Sequence, residues 1–172
     1  MSTAFFYQKC ACHVLNLTVK VGLKTSGAND LITKFKKAVT HIFTKSTRKQ
    51  RFHDMCSRMQ FTKLRVPWDV DTRWNSTYRM FKQCFPYAHA INAILNETPE
   101  GMELALSTGE WDQLNKLMKF FEVFFKATLA LSCSYKLTAH KLLHYLLRIS
   151  QVYHEMKGTF LILYFLSISV LY

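Results

Sequence analysis

Apolar residues recur along this chain mostly at helical spacing. Between Cys10 and Leu23 they fall at Val14, Leu15, Leu17, Val19 and Leu23. Gly27-Ala28-Asn29-Asp30 then breaks the pattern, and Asp30 suits an N-cap because its carboxylate can accept a free helix N–H. Leu31, Ile32, Phe35, Ala38, Val39, Ile42 and Phe43 repeat at i, i+4, i+7 and i+8, which predicts one buried helix face. Lys34, Lys36 and Lys37 lie off that stripe. Ser46 or Thr47 can cap a further helix with a narrower stripe of Phe52, Met55 and Met59. Leu64 to Val70 is a candidate short strand ending at Pro67 or just beyond. Ser76 to Leu95 reads as a helix interrupted near Pro86.

The second half is more apolar. Asn96 to Gly109, with Pro99 and Gly101, is a polar connector and the best internal boundary. Ser107 and Glu110 are spaced as a capping box, with Thr108 as the alternative cap. A helix is predicted from about Glu110 to Ser132, carrying Leu114, Leu117, Met118, Phe120, Phe121, Val123, Phe124, Phe125 and Leu129. So wide an apolar surface means burial on several sides or a missing partner. A last helix is predicted from about Thr138 to Met156, with Leu142, Leu143, Leu146, Leu147 and Ile149. Thr159 to Tyr172 carries no charge. It is shorter than the roughly 20 residues of a membrane span, and its composition favours a strand. It reads as a buried strand, a tail anchor, or sequence foreign to the evolved domain, such as translated intron. The expected organisation is mainly α with little β. Residues 1–95 form a basic unit, 96–156 a helical segment, and 157–172 an apolar tail.

Charge sharpens this division. The 172 residues carry 23 Lys+Arg and 11 Asp+Glu, a net +12. Residues 1–85 hold 16 of the cations and four of the anions, while residues 86–172 hold seven of each. The whole excess therefore sits in the first half. Such asymmetry favours a polyanion contact over a merely solvated basic surface. With 49% apolar residues, the length suits one domain with a core. The five cysteines, Cys10, Cys12, Cys56, Cys84 and Cys133, are odd in number and form no CxxC pair. A disulfide framework is not expected, which suits a reducing compartment. Residues 1–9 do not resemble a secretory signal.

Common catalytic signatures are missing. There is no GxGxxG, Walker A loop, GxSxG or HExxH, and no cofactor is expected. Cys10-Ala11-Cys12-His13 and the His53/Cys56 pair could in principle supply four zinc ligands. Neither spacing is a recognised knuckle, and packed thiols are the commoner use, so no metal is expected. Asp69 and Asp71 would share a strand face and could hold a divalent ion, yet the stretch also reads as a turn and helix start with Asp71, Thr72 or Asn75 capping, and capping is the favoured reading for Asp71. An exposed Trp74 beside Arg73 could stack on an unpaired base while the guanidinium holds phosphate; a core tryptophan is the equal alternative. Lys45, Arg48, Lys49 and Arg51 surround a predicted helix N-terminus, where free N–H groups and cations suit phosphate.

These strings also carry a resemblance. Cys10-Ala11-Cys12-His13-Val14-Leu15-Asn16-Leu17 resembles the C-x-x-H-x-L-N-L signature of hAT-superfamily transposases. Asp69-Val70-Asp71-Thr72-Arg73-Trp74-Asn75-Ser76-Thr77-Tyr78 is similar to their D-V-x-T-R-W-N-S-T-Y block. Ser46-Thr47-Arg48 with Phe52 is similar to an S-x-x-R-x-x-x-F stretch. Glu110-Trp111 and Ala127-Thr128 with Ser132 resemble the start and end of a helix in the family's inserted domain. The likeness covers about residues 8–156 and is nearest to the plant RICESLEEPER/DAYSLEEPER type, domesticated relatives with a BED zinc finger. Cys10, His13, Asn16, Asp69, Arg73, Trp74, Asn75 and Ser76 carry the signatures.

The resemblance implies part of an RNase H-like core with a helical insertion. It places Cys10 and His13 beside an active site and Trp74 against a flipped base. The family uses two Asp and one Glu to hold divalent metal. Both Asp precede the CxxH signature, and the nine residues before Cys10 contain no acid. Glu155 is not expected to serve as the Glu. The expectation is a nuclear, DNA-binding, catalytically incomplete domain. Phosphate contacts are expected from Lys34, Lys36, Lys37, Arg48, Lys49, Arg51 and Arg73. DNA is the expected partner, with a second copy or a transposase-like protein as further candidates and no membrane. The competing readings are an interaction or oligomerisation module using helix 110–132, and an unstable gene-model fragment.

Overall fold

A computed structural model of the chain describes residues 11–25, 28–61, 66, 74–132, 144–145 and 147–152. The candidate strand falls almost wholly outside these residues, as do the apolar tail, Cys10, Cys133, Asp69, Asp71 and Arg73. Among the described residues every regular element is a helix. They are α1 (Ala11–Thr25), α2 (Ala28–Thr44), α3 (Ser46–Arg58), α4 (Trp74–Cys84), a 3-10 turn (Phe85–Tyr87), α5 (Ala88–Leu95), α6 (Pro99–Met102) and α7 (Thr108–Leu131). Residues 147–152 are also helical.

The stripe predicted for α2 is its buried face: Ile32, Phe35, Ala38, Val39 and Ile42 are all buried. The helix starts earlier than expected, at Ala28. Asp30 therefore sits in the first turn, where its charge complements the positive helix end, rather than at the N-cap. In α3 the cap is Lys45, with an extended backbone and no side-chain cap bond, so neither Ser46 nor Thr47 caps it. Its buried residues are Phe52, His53 and Cys56, whereas the expected Met59 is exposed. The helix closes with Gln60 N–H donating to the Ser57 carbonyl and Phe61 N–H to the Cys56 carbonyl. That is a Schellman closure, and Gln60 accordingly takes a positive φ of 59°.

Pro86 breaks the next segment as predicted, at a 3-10 turn between α4 and α5. The polar stretch after Leu95 is packed rather than a free linker. Thr98 caps α6 by accepting from Gly101 N–H, and Gly101 is buried. Asn92 holds the following strand of chain at both sides: its Nδ2 donates to the Leu106 carbonyl, 2.6 Å, and its Oδ1 accepts from Leu106 N–H, 3.1 Å. The Ser107–Glu110 capping box forms with both of its reciprocal bonds, and Ser132 is the C-cap of α7.

Helix α7 packs on α1, α2 and α4, so burial on several sides accounts for its wide apolar surface. Leu114, Leu117, Phe120, Phe121 and Phe124 are buried, and only Leu129 of the predicted set is exposed. This removes most of that surface from a partner. In the last helix Ile149 is buried, but Leu147 is 58% exposed. One core runs from Leu15 to Ile149 and crosses residue 95 without a gap in packing. Trp111, on the far side of the connector, contacts Phe35 and Phe85.

Candidate nucleic-acid interface

Helices α2 and α3 pack against each other and carry most of the basic residues predicted to meet phosphate. Lys37, Lys45 and Lys49 are exposed. Lys45 and Lys49 are one turn apart, and Lys45 is the N-cap of α3, with a side chain that makes no cap bond. Lys37 lies one turn before His41 on α2. Arg48 reaches back from α3 to donate its Nε–H to the His41 carbonyl, 2.6 Å away. Arg48 thus ties the first turn of α3, which carries Lys45 and Lys49, to the helix that carries Lys37. Burial first, then Arg48 and Lys45, hold the His41 imidazole below its ordinary pKa of 6.5, against an opposing pull from Glu100.

Other predicted cations are already engaged. Lys34 Nζ donates to both carboxylate oxygens of Glu110, at 2.8 and 3.0 Å. Arg51 Nη1 donates to Glu97 Oε2 at 2.9 Å. Lys36 is half-buried. A cleft at Lys34 is lined by Asp30, Thr33, Lys34, Lys37 and Leu104. Burial opposes ionisation of Glu110. Hydrogen bonds from Lys34 and from Ser107, backbone and hydroxyl, outweigh it and keep the carboxyl below its ordinary pKa.

The Trp-Asn-Ser-Thr-Tyr block forms the first turn of α4. Trp74, Thr77 and Tyr78, at i, i+3 and i+4, turn toward the interior. Trp74 is 4% exposed and lies against Phe121 and Phe124. Tyr78 stacks on Phe125 at 4.9 Å. In place of an exposed stacking platform, Trp74 is a core side chain that docks α4 on α7. Its large ring gains more from the α7 aromatics than solvent exposure would provide. Asn75 and Ser76 are half-buried on the same turn. Asn75 lies inside the helix and does not cap it.

The upstream signature is divided in a similar way. Leu15 and Val19 are buried, Asn16 is half-buried and His13 is exposed. Cys12 approaches the far end of α7, with Sγ 3.8 Å from the Thr128 carbonyl and 3.4 Å from Ser132 Oγ. His53 and Cys56 belong to the core, His53 beside Phe43 and Phe52. Among the described residues no three His, Cys, Asp or Glu side chains converge as a metal site. The sequence placed Tyr78 in the signature block without giving it a role, and it did not single out Asn92. An aromatic three residues from Asn75 and an Asn inside an apolar helix were the available signals.

The two signature blocks thus dock α1 and α4 on one long helix of a mainly helical scaffold. The model of the ZBED1 RNase-like helical domain matches residues 8–120. The chain belongs to that family and is hAT-transposase-like. It is 31% identical over 139 residues to the "Putative AC transposase" of Zea mays, covering 80% of this chain and 17% of that protein. It is 33% identical over 97 residues to the "Putative AC9 transposase" of Zea mays, covering 56% of this chain and 11% of that protein. The chain thus spans less than a fifth of the length of these relatives. No solved structure matches it. No helix among the described residues is long and apolar enough to cross a membrane.

Proposed function

We propose that this domain binds DNA in the nucleus through the α2–α3 junction, contacting phosphates rather than reading bases. The observation that carries this reading is the start of α3, where the N-cap Lys45 makes no side-chain cap bond and stands with Arg48 and Lys49, while Arg48 ties this turn to α2, which carries the exposed Lys37. A helix start offers partial positive charge and free donors, and flanking cations add a long-range attraction. Membership of a transposase-like family supports DNA as the polyanion. Under this reading Lys37, Lys45 and Lys49 make the free contacts, and Arg48 braces the junction.

The domain's role in this proposal is DNA contact, without strand transfer of its own. Metal-dependent nicking of transposon-end DNA, abolished by an acidic-residue substitution, would overturn this part.

Binding is tested by fluorescence anisotropy with a labelled duplex across a salt series. Each neutralised phosphate contributes a slope of about −0.9 in log K against log salt. Replacing Lys37, Lys45 and Lys49 together by Gln should weaken binding at low salt by about tenfold or more and flatten the slope by two to three. A wild-type affinity indifferent to salt removes the model.

A further inference from the structure

Two of the cations on the basic helices are answered by carboxylates from the neutral half of the chain. Lys34 of α2 is held by Glu110 at the start of α7, and Arg51 of α3 by Glu97 after α5. Both carboxylates come from residues 86–172, where positive and negative side chains balance. A carboxylate and a phosphate offer a guanidinium or ammonium group the same kind of oxygen acceptor. We infer that Glu97 and Glu110 act as built-in phosphate mimics, occupying Arg51 and Lys34 so that a DNA backbone must displace them to extend its contact across α2 and α3. This rests on the DNA-binding reading above and goes beyond it, because it assigns two acidic residues a restraining role in that binding.

The two pairs differ in how firmly they restrain. Arg51 is 66% exposed and Glu97 34%, so this pair is largely in water and easily exchanged. Lys34 and Glu110 are 31% and 28% exposed. Glu110 also accepts Ser107 N–H at 2.7 Å, which fixes it in place. Glu97 is therefore the readily displaced cover and Glu110 the firmer one. The mimicry also limits non-specific attraction, since two of the first-half charges are neutralised until a polyanion arrives.

Glu97→Gln and Glu110→Gln remove the negative charge with little change in shape. Gln at the third helical position preserves the capping box, so α7 keeps its start. Glu122→Gln is the control. It deletes the same charge from the Glu122–Lys126 pair, 2.9 Å apart. It lies twelve residues farther along α7, about 18 Å along the axis. That exceeds the roughly 10 Å over which charge is felt at 0.1 M salt. Anisotropy titrations of wild type and the three variants with one duplex at 0.1 M salt are compared, after circular dichroism has verified equal helix content.

Glu97→Gln and Glu110→Gln should each bind about two- to fivefold tighter than wild type, with the salt slope steeper by about 0.9. Glu122→Gln should match wild type. Equal gains in all three variants mean a general charge effect and overturn the mimicry. No gain at Glu97 or Glu110, with wild-type binding intact, also overturns it while the interface stands. Absence of salt-dependent binding in every protein instead overturns the DNA-binding reading itself. Should Glu110→Gln fail to match the wild-type fold, Glu97→Gln alone decides, since Glu97 makes no capping bond.

Discussion

Phe35 meets Trp111 edge to face, with ring centroids 5.8 Å apart and planes at 84°. The residues immediately before them, Lys34 and Glu110, form the ion pair at 2.8 Å. Two consecutive positions on each helix therefore set the register of α2 on α7, one through apolar contact and the other through charge. Phe35 also lies 4.4 Å from Phe81, so a single ring joins α2, α4 and α7. Phe35→Ala should cost about 3–5 kcal/mol, because a fully buried ring is lost and its neighbours cannot all close the space. Urea unfolding followed by circular dichroism measures this. A loss below 1 kcal/mol would mean that the three helices do not share this contact.

Glu110 makes stability depend on acid. Its carboxyl titrates below the ordinary 4.5 in the folded chain because Lys34 and Ser107 stabilise the charged form despite burial. The folded state thus binds fewer protons than the unfolded state in that range. The contribution is present in full above pH 4.5 and is lost as pH falls through the lower, folded value. Glu110→Gln should remove this part of the acid dependence. The difference in melting temperature between wild type and variant should shrink as pH drops from 6 toward 3, on the order of the ordinary carboxylate range. A constant difference would contradict the linkage.

The end of α3 holds Gln60 at a φ of 59°, where a side chain crowds its own backbone. Gln60→Gly should stabilise the fold by about 0.5–1 kcal/mol, since glycine relieves that crowding at some entropic cost in the unfolded chain. Thermal melts of the two proteins are sufficient. Destabilisation would show that Gln60 contributes contacts outweighing its strain.

Two glycines should respond in opposite ways. A Cβ on Gly101 would collide with the Leu95 carbonyl, which is backbone and cannot swing aside. Gly101→Ala should cost about 1–3 kcal/mol. At Gly109 the nearest atom is Ser107 Oγ at 4.0 Å, so the space is open. Gly109→Ala, in the first turn of α7, should be neutral or gain up to about 1 kcal/mol from helix propensity. Equal effects at both sites would refute the close approach of α6 to the end of α5.

The thiols should separate by burial. Cys84 is fully buried, and burial pushes its pKa up to about 12. Cys56 is buried and raised for the same reason. Cys12 is half-buried at the α1–α7 contact. Native labelling with iodoacetamide, read peptide by peptide, should modify Cys12 well before Cys56 and Cys84, because the thiolate is the reactive form. Early labelling of Cys84 would mean that α4 leaves the core readily.

The helices of this protein were largely legible because their signal is local. The apolar stripe of α2, the Pro86 break and the Ser107–Glu110 box each depend on residues within a few turns of one another. Boundaries were less legible where a cap is optional. Lys45 begins α3 without a side-chain bond, since packing of Phe52 and Cys56 already commits the segment to helix. The connector after Leu95 looked like a linker because it is polar. Its order comes from Asn92 and Gly101, whose partners are chosen by distance in space.

By itself the amino-acid sequence determined the helical class, the family signatures and the concentration of positive charge in residues 1–85. Periodicity and composition decide these through local backbone geometry and simple counting. Tertiary structure decided that Trp74 is a core residue and that α7 is covered on several sides. It also decided that Lys34 and Arg51 are already paired, while Lys37, Lys45 and Lys49 remain exposed. The reason is that burial and ion pairing depend on which helix face meets which neighbour. Lys34 and Glu110 are 76 positions apart in the chain. No spacing rule along the chain links them, and only the packing of α2 on α7 brings their charges together.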